Sequence, residues 1–155
     1  MGSSVLLLLL ATLHGAWAVN AEPAVATPQQ GLVSLLDDLS GSRPPDRLFA
    51  ARELRRQVRG AIRATRRNRP GSLASDDAMA QLEDFDRTVA PRCISVLGKD
   101  DVRLHCAEIL GMLETAEALA PLRAALEQEQ RPRVRRHIQR AITLVEEGNA
   151  PGEDD

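Results

Sequence analysis

Asp101-Val102-Arg103-Leu104-His105-Cys106-Ala107-Glu108-Ile109-Leu110-Gly111 carries a pattern that the chain uses twice. Val102-Arg103-x-His105 returns as Val134-Arg135-x-His137 at a shift of 32 residues, and Val89-Ala90-Pro91 returns as Leu119-Ala120-Pro121 at a shift of 30. Two nearly equal offsets are what a repeat with a small loop insertion produces. Each unit reads as one helix, a short turn and a second helix. Such a pair cannot bury both apolar faces alone, so neighbouring pairs must stack to make a core. The predicted fold class is therefore all-α, a short α-solenoid of antiparallel helix pairs.

Composition agrees. The 155 residues are 43% hydrophobic but only 2% aromatic, so the core must be built from Leu, Ala, Val and Ile, and the length allows one small domain. No alternating run of β-branched and aromatic residues lies between Gly or Pro breaks. Outward from the repeat, helices are expected over Val102 to Leu113, Ala116 to about Glu127, and Pro132 to Glu147, with a turn at Gly98-Lys99-Asp100-Asp101. Before that turn, Ser75-Asp76-Asp77 is predicted to open a helix whose core face is Met79, Leu82 and Phe85, continuing through Val89, Cys93 and Val96. Pro91 interrupts this pattern, which predicts either a kink there or a break near residues 86–88.

Further toward the N-terminus, Leu32, Leu35, Leu36 and Leu39 share one helical face that ends at Gly41. Pro44-Pro45-Asp46 then offers a stop and an N-cap, Asp46, for a helix over about 47–67. Leu48, Ala51, Leu54, Val58, Ala61, Ile62 and Thr65 form its apolar stripe, and Arg52, Arg55, Arg56, Arg59, Arg63, Arg66 and Arg67 its opposite side. The formal net charge of -2 conceals this asymmetry, because residues 43–69 hold ten arginines against Asp46 and Glu53, a net +8. Nineteen of the twenty basic residues are Arg, Lys99 being the exception, which coding bias explains as readily as bidentate anion recognition.

Asp101-Val102-Arg103, Ala107-Glu108-Ile109-Leu110-Gly111, Ala118-Leu119-x-Pro121-Leu122 with Leu126, and Arg133-Val134-Arg135 together resemble HEAT repeats, of the short HEAT-like type first recognised in phycobilisome lyases. The resemblance covers about 88–145. One departure stands out: the second unit has Ala141-Ile142-Thr143 where the pattern wants Ala-Leu-Gly, which suggests a capping version of the last helix. The resemblance implies a solenoid whose exposed helix face binds proteins. It does not carry lyase activity with it, since repeat geometry specifies no chemistry.

Met1 to Ala18 holds no Lys, Arg, Asp or Glu, and its apolar run Val5 to Leu13 has the length of a signal-peptide h-region, short of the roughly 20 residues that span a bilayer. Ala16-Trp17-Ala18 is a cleavage site, with a second at Val19-Asn20-Ala21. The predicted organisation is a leader over 1–18 cut after Ala18 or Ala21, a flexible spacer over 19–30, a helical domain over 31–147, and a disordered acidic tail over 148–155. A periplasmic or secreted location follows.

Cys93 and Cys106 lie symmetrically about the turn at Lys99 and Asp100, and both fall on apolar stripes. Export would permit a disulfide, closing a loop that stabilises by roughly 3 kcal/mol. Helix axes about 8–10 Å apart strain against the approach of about 7 Å that a bridge needs, so a pair of buried thiols is the competing reading. His105 and His137 occupy equivalent places in the two units, either as a repeated ligand site or as a copied boundary position. There is no HExxH, nucleophile elbow, glycine-rich phosphate loop or zinc spacing, so no catalytic residue, cofactor or metal is assigned.

The expected function is that of an exported, non-enzymatic interaction scaffold, binding a protein partner through a surface that includes Arg52, Arg55, Arg56, Arg59, Arg63, Arg103 and Arg135. The alternatives are a peripheral binder of anionic membrane or envelope polymer through the 47–67 helix, and a regulatory subunit of an envelope enzyme. Internal pairing of the same arginines with the acidic C-terminal half competes with all of these. Nucleic acid is the weakest partner, for want of aromatic stacking platforms.

Overall fold

The computed structural model describes residues 28–68 and 70–150. The leader, most of the spacer and the end of the acidic tail lie outside them. Six α-helices follow one another: α1 Pro28–Ser40, α2 Pro44–Arg67, α3 Leu73–Val96, α4 Arg103–Leu113, α5 Leu119–Gln128 and α6 Pro132–Gly148, with one 3₁₀ turn at Ala116–Ala118. Among the described residues there is no strand. The helices form three antiparallel pairs, α1 with α2, α3 with α4 and α5 with α6, stacked into a short solenoid. In one layer α4 lies between α2 and α6, and packs most extensively on α6; in the other, α1 packs on α3 while α5 leans chiefly on α6.

The core is aliphatic, as the composition requires. Leu39, Leu54, Val58, Phe85, Val89, Val102, Ile109, Leu110, Leu122, Ile138 and Val145 are buried in one continuous cluster that links all three pairs. At the junction of α4 and α6 the backbones nearly touch. A Cβ placed on Gly111 would stand 2.7 Å from the Ala141 Cα and 2.9 Å from its Cβ, so only glycine lets the two helices meet there.

Several boundaries differ from the sequence expectation. The helix α1 begins at Pro28, so the last three residues of the predicted spacer are helical. At α2, Arg43 occupies the cap position and Pro44 the first turn, where a missing N–H costs nothing, which leaves Asp46 inside the helix instead of capping it. Ser72, not Ser75, caps α3, its hydroxyl accepting from the Ser75 N–H. The buried stripe is Ser75, Ala78, Phe85, Val89, Cys93 and Val96, with Leu82 half-buried; Met79, one position off it, is 53% exposed instead of facing the core. The helix runs unbroken through Pro91, whose ring faces outward. Gly148 closes α6, and the Asn149 amide donates to the Glu114 and Val145 carbonyls, so the predicted disordered tail begins with ordered residues.

Candidate functional site

The end of each first helix leaves carbonyls without helical donors, and in all three pairs an arginine near the start of the second helix supplies them. Arg47 Nη1 donates to the Gly41 and Ser42 carbonyls at 2.9 and 2.7 Å. Arg103 donates to Leu97 and Gly98 at 3.1 and 2.7 Å, and Arg135 to Leu126 and Glu129 at 2.7 Å each. The first two arginines also reach a carboxylate in the next pair's turn. Arg47 grips Asp101 with two hydrogen bonds of 3.0 and 3.2 Å, and Arg103 Nη1 meets Glu129 at 2.8 Å.

Glu129 is 3% exposed and also takes the Arg131 backbone N–H and guanidinium. The bonds from Arg131 lead, and with those from Arg103 they outweigh burial and hold its carboxyl far below the usual range. A ladder of charge-assisted bonds thus ties pair to pair, and α1 with α2 is joined to it in the same way as the later pairs. The sequence held a signal for this that the repeat comparison missed. Pro44 with Arg47 repeats as Pro132 with Arg135, a proline at the first helical position followed three residues later by arginine.

Two residues expected on the interaction surface therefore belong to the frame. Arg103 is 7% exposed and is a buried staple, a correction that follows from where α4 begins: its first residue points back at the end of α3. Arg135 is exposed, yet its guanidinium is engaged with the end of α5.

The remaining arginines of α2 divide by their neighbours. Arg55 is half-buried and paired with Glu108 of α4. Arg56 pairs along its own helix with Glu53 at 2.6 Å. Arg52 is exposed on the outer surface. Arg59, Arg63 and Arg66 line an open groove of about 780 Å³ between α2 and α6, floored by Ile62, Leu82, Met112, Leu113 and Leu144, with Arg140 on the facing wall. All four arginines are exposed and have no carboxylate partner among the described residues. Glu83, Asp86 and Glu114 also line it, Asp86 already accepting from the Thr115 hydroxyl at 2.6 Å.

In the groove lining, Glu108 is flanked by three groups. Arg55 donates to Oε2, His137 Nδ1 stands 2.9 Å from Oε1, and His105 Nδ1 lies 3.9 Å from Oε2, too far to bond and without another partner. Burial pushes this carboxyl up, but His105, Arg55 and His137 overcome it and hold it at about 2. The two equivalent histidines thus face one carboxylate across neighbouring units. Among the described residues no group of His, Cys, Asp and Glu is arranged to hold a metal ion.

Cys93 and Cys106 come together as expected from their symmetry about the turn. Both are fully buried and stand as neighbouring free thiols. The adjacent Cys106 and the surrounding apolar core push the Cys93 thiol well above its usual value.

The architecture and the ladder define the class as a helical-repeat solenoid. Residues 102–128, spanning α4, the 3₁₀ turn and all of α5, match the PBS lyase HEAT-like repeat. No curated protein and no solved structure matches the chain. HEAT-like repeats are generally non-catalytic and commonly mediate protein–protein interaction.

Proposed function

We propose that this protein is an exported, non-catalytic interaction scaffold whose binding face is the groove between α2 and α6. The observation that carries the reading is the unpaired set Arg59, Arg63, Arg66 and Arg140 over an apolar floor. Other exposed arginines, such as Arg52, Arg67 and Arg136, stand singly on the surface, whereas these four line one concavity together. Four guanidiniums left open around one concave surface are the arrangement a partner would complete.

Docking of α2 on an anionic membrane or envelope polymer draws on the same charges. An interfacial helix needs a free apolar face as well, and here Leu54, Val58 and Ala61 are buried in the core. The protein-partner reading is favoured on that ground. No helix among the described residues is long and apolar enough to cross a membrane.

The test is affinity capture from the native envelope fraction with the wild type and with a variant combining Arg63→Glu and Arg140→Glu. A partner retained by the first and lost by the second, with unchanged far-UV spectra, supports the reading; retention by both removes the groove from consideration. Export is checked by N-terminal sequencing, with a mature start at Val19 or Glu22 expected and an intact N-terminus contradicting it.

A further inference from the structure

We infer that the groove receives an acidic, amphipathic segment of a partner protein, a statement that rests on the binding face proposed above and names the chemistry of what occupies it. Arg59, Arg63 and Arg66 project from α2 at i, i+4 and i+7, one stripe about 10 Å long at 1.5 Å per residue. Arg140 faces them from α6 across a floor that includes Met112 and Leu144. A complementary ligand carries carboxylates at one-turn spacing on one side and aliphatic side chains on the other. Guanidinium forks suit carboxylates geometrically, and the apolar floor is what distinguishes a protein segment from a simple anion.

Of the carboxylates in the lining, Glu108 is already held by Arg55 and His137, and none forms an ion pair with Arg59, Arg63, Arg66 or Arg140 among the described residues, so these cations remain available to a ligand. Glu83, Asp86 and Glu114 line the same groove and repel a ligand carboxylate placed against them, which favours an occupant whose acidic side stays on the Arg59, Arg63 and Arg66 stripe.

The experiment is fluorescence anisotropy with the purified mature protein and a labelled helical peptide bearing Glu at i, i+4 and i+7 on one face and Leu on the other, beside a counterpart with Gln replacing Glu. The Glu peptide is expected to bind at least tenfold more tightly than the Gln peptide, to weaken as NaCl rises, and to lose at least tenfold in Arg63→Gln and in Arg140→Gln. Arg52→Gln, on the outer surface, is expected to leave affinity unchanged. Equal binding of the two peptides, or equal loss in Arg52→Gln, overturns the inference, as does binding only to phosphatidylglycerol vesicles. If the charge-reversed groove loses its captured partner while the Glu peptide fails to bind, the acidic occupant is wrong and the binding face stands; if the partner survives charge reversal, both fall.

Discussion

Gly111 and Thr143 hold equivalent places in successive units, 32 residues apart, yet one meets a helix backbone and the other meets solvent. Gly111 lets α6 approach α4; Thr143 has nothing packed on it among the described residues, and its hydroxyl turns back to the Gln139 carbonyl. Gly111→Val should therefore lower stability by about 1–3 kcal/mol through overpacking against the Ala141 backbone, whereas Thr143→Ala should stay within about 0.5 kcal/mol; urea midpoints read both. At Arg103 the expectation concerns charge. Arg103→Met leaves the buried Glu129 carboxylate with Arg131 alone and should cost about 3 kcal/mol, and adding Glu129→Met should recover part of that loss, because an apolar pair replaces a buried ionic one more cheaply than a lone charge persists. A double variant less stable than Arg103→Met would contradict the ladder. The sequence displayed Arg103 as a charge beside an apolar stripe, and charge reads as surface. Its burial depends on the end of α3 lying within reach, a fact of tertiary geometry.

Helix stripes were legible because each side-chain face recurs every three or four residues, and the second unit, α5 with α6, could be placed almost residue for residue. Register failed where a start signal was ambiguous. Ser72 and Ser75 both suit an N-cap, and Ala78 and Met79 lie four and three residues before Leu82, so both continue its face; the smaller one is buried. Pro91 shows the opposite outcome, since a strong local breaker is tolerated where α3 is clamped on both α2 and α4. The proline removes the N–H that would pair with the Arg87 carbonyl. An interior proline costs about 3 kcal/mol, and reverting it gives back up to about 1 kcal/mol of unfolded-state freedom. Pro91→Ala should thus stabilise by about 2 kcal/mol, seen as a higher thermal midpoint. A lower midpoint would mean that the proline is needed to fit α3 against its neighbours.

Across the molecule, the carboxylates that join the pairs set the acid limit. Glu108 titrates at about 2 when folded against an ordinary 4.5, and Glu129 is lowered further. A carboxyl lowered by folding contributes stability that is complete above 4.5 and is lost as protons are taken up toward its folded value. Urea midpoints should hold steady from neutral pH to about 5 and fall between about 4.5 and 2, with a shallower fall in Glu108→Gln. The groove itself was not legible in sequence. Arg63, Met112 and Arg140 are separated by dozens of residues, and only the stacking of α2, α4 and α6 sets them around one space. Photo-crosslinking in cells tests that space most directly, with p-benzoylphenylalanine introduced at Met112 on the groove floor and, separately, at Ala124 on the exposed side of α5. A protein adduct formed from Met112, absent from Ala124 and abolished by Arg63→Glu with Arg140→Glu is the predicted result; an adduct formed from Ala124 and indifferent to the charge reversal would contradict it.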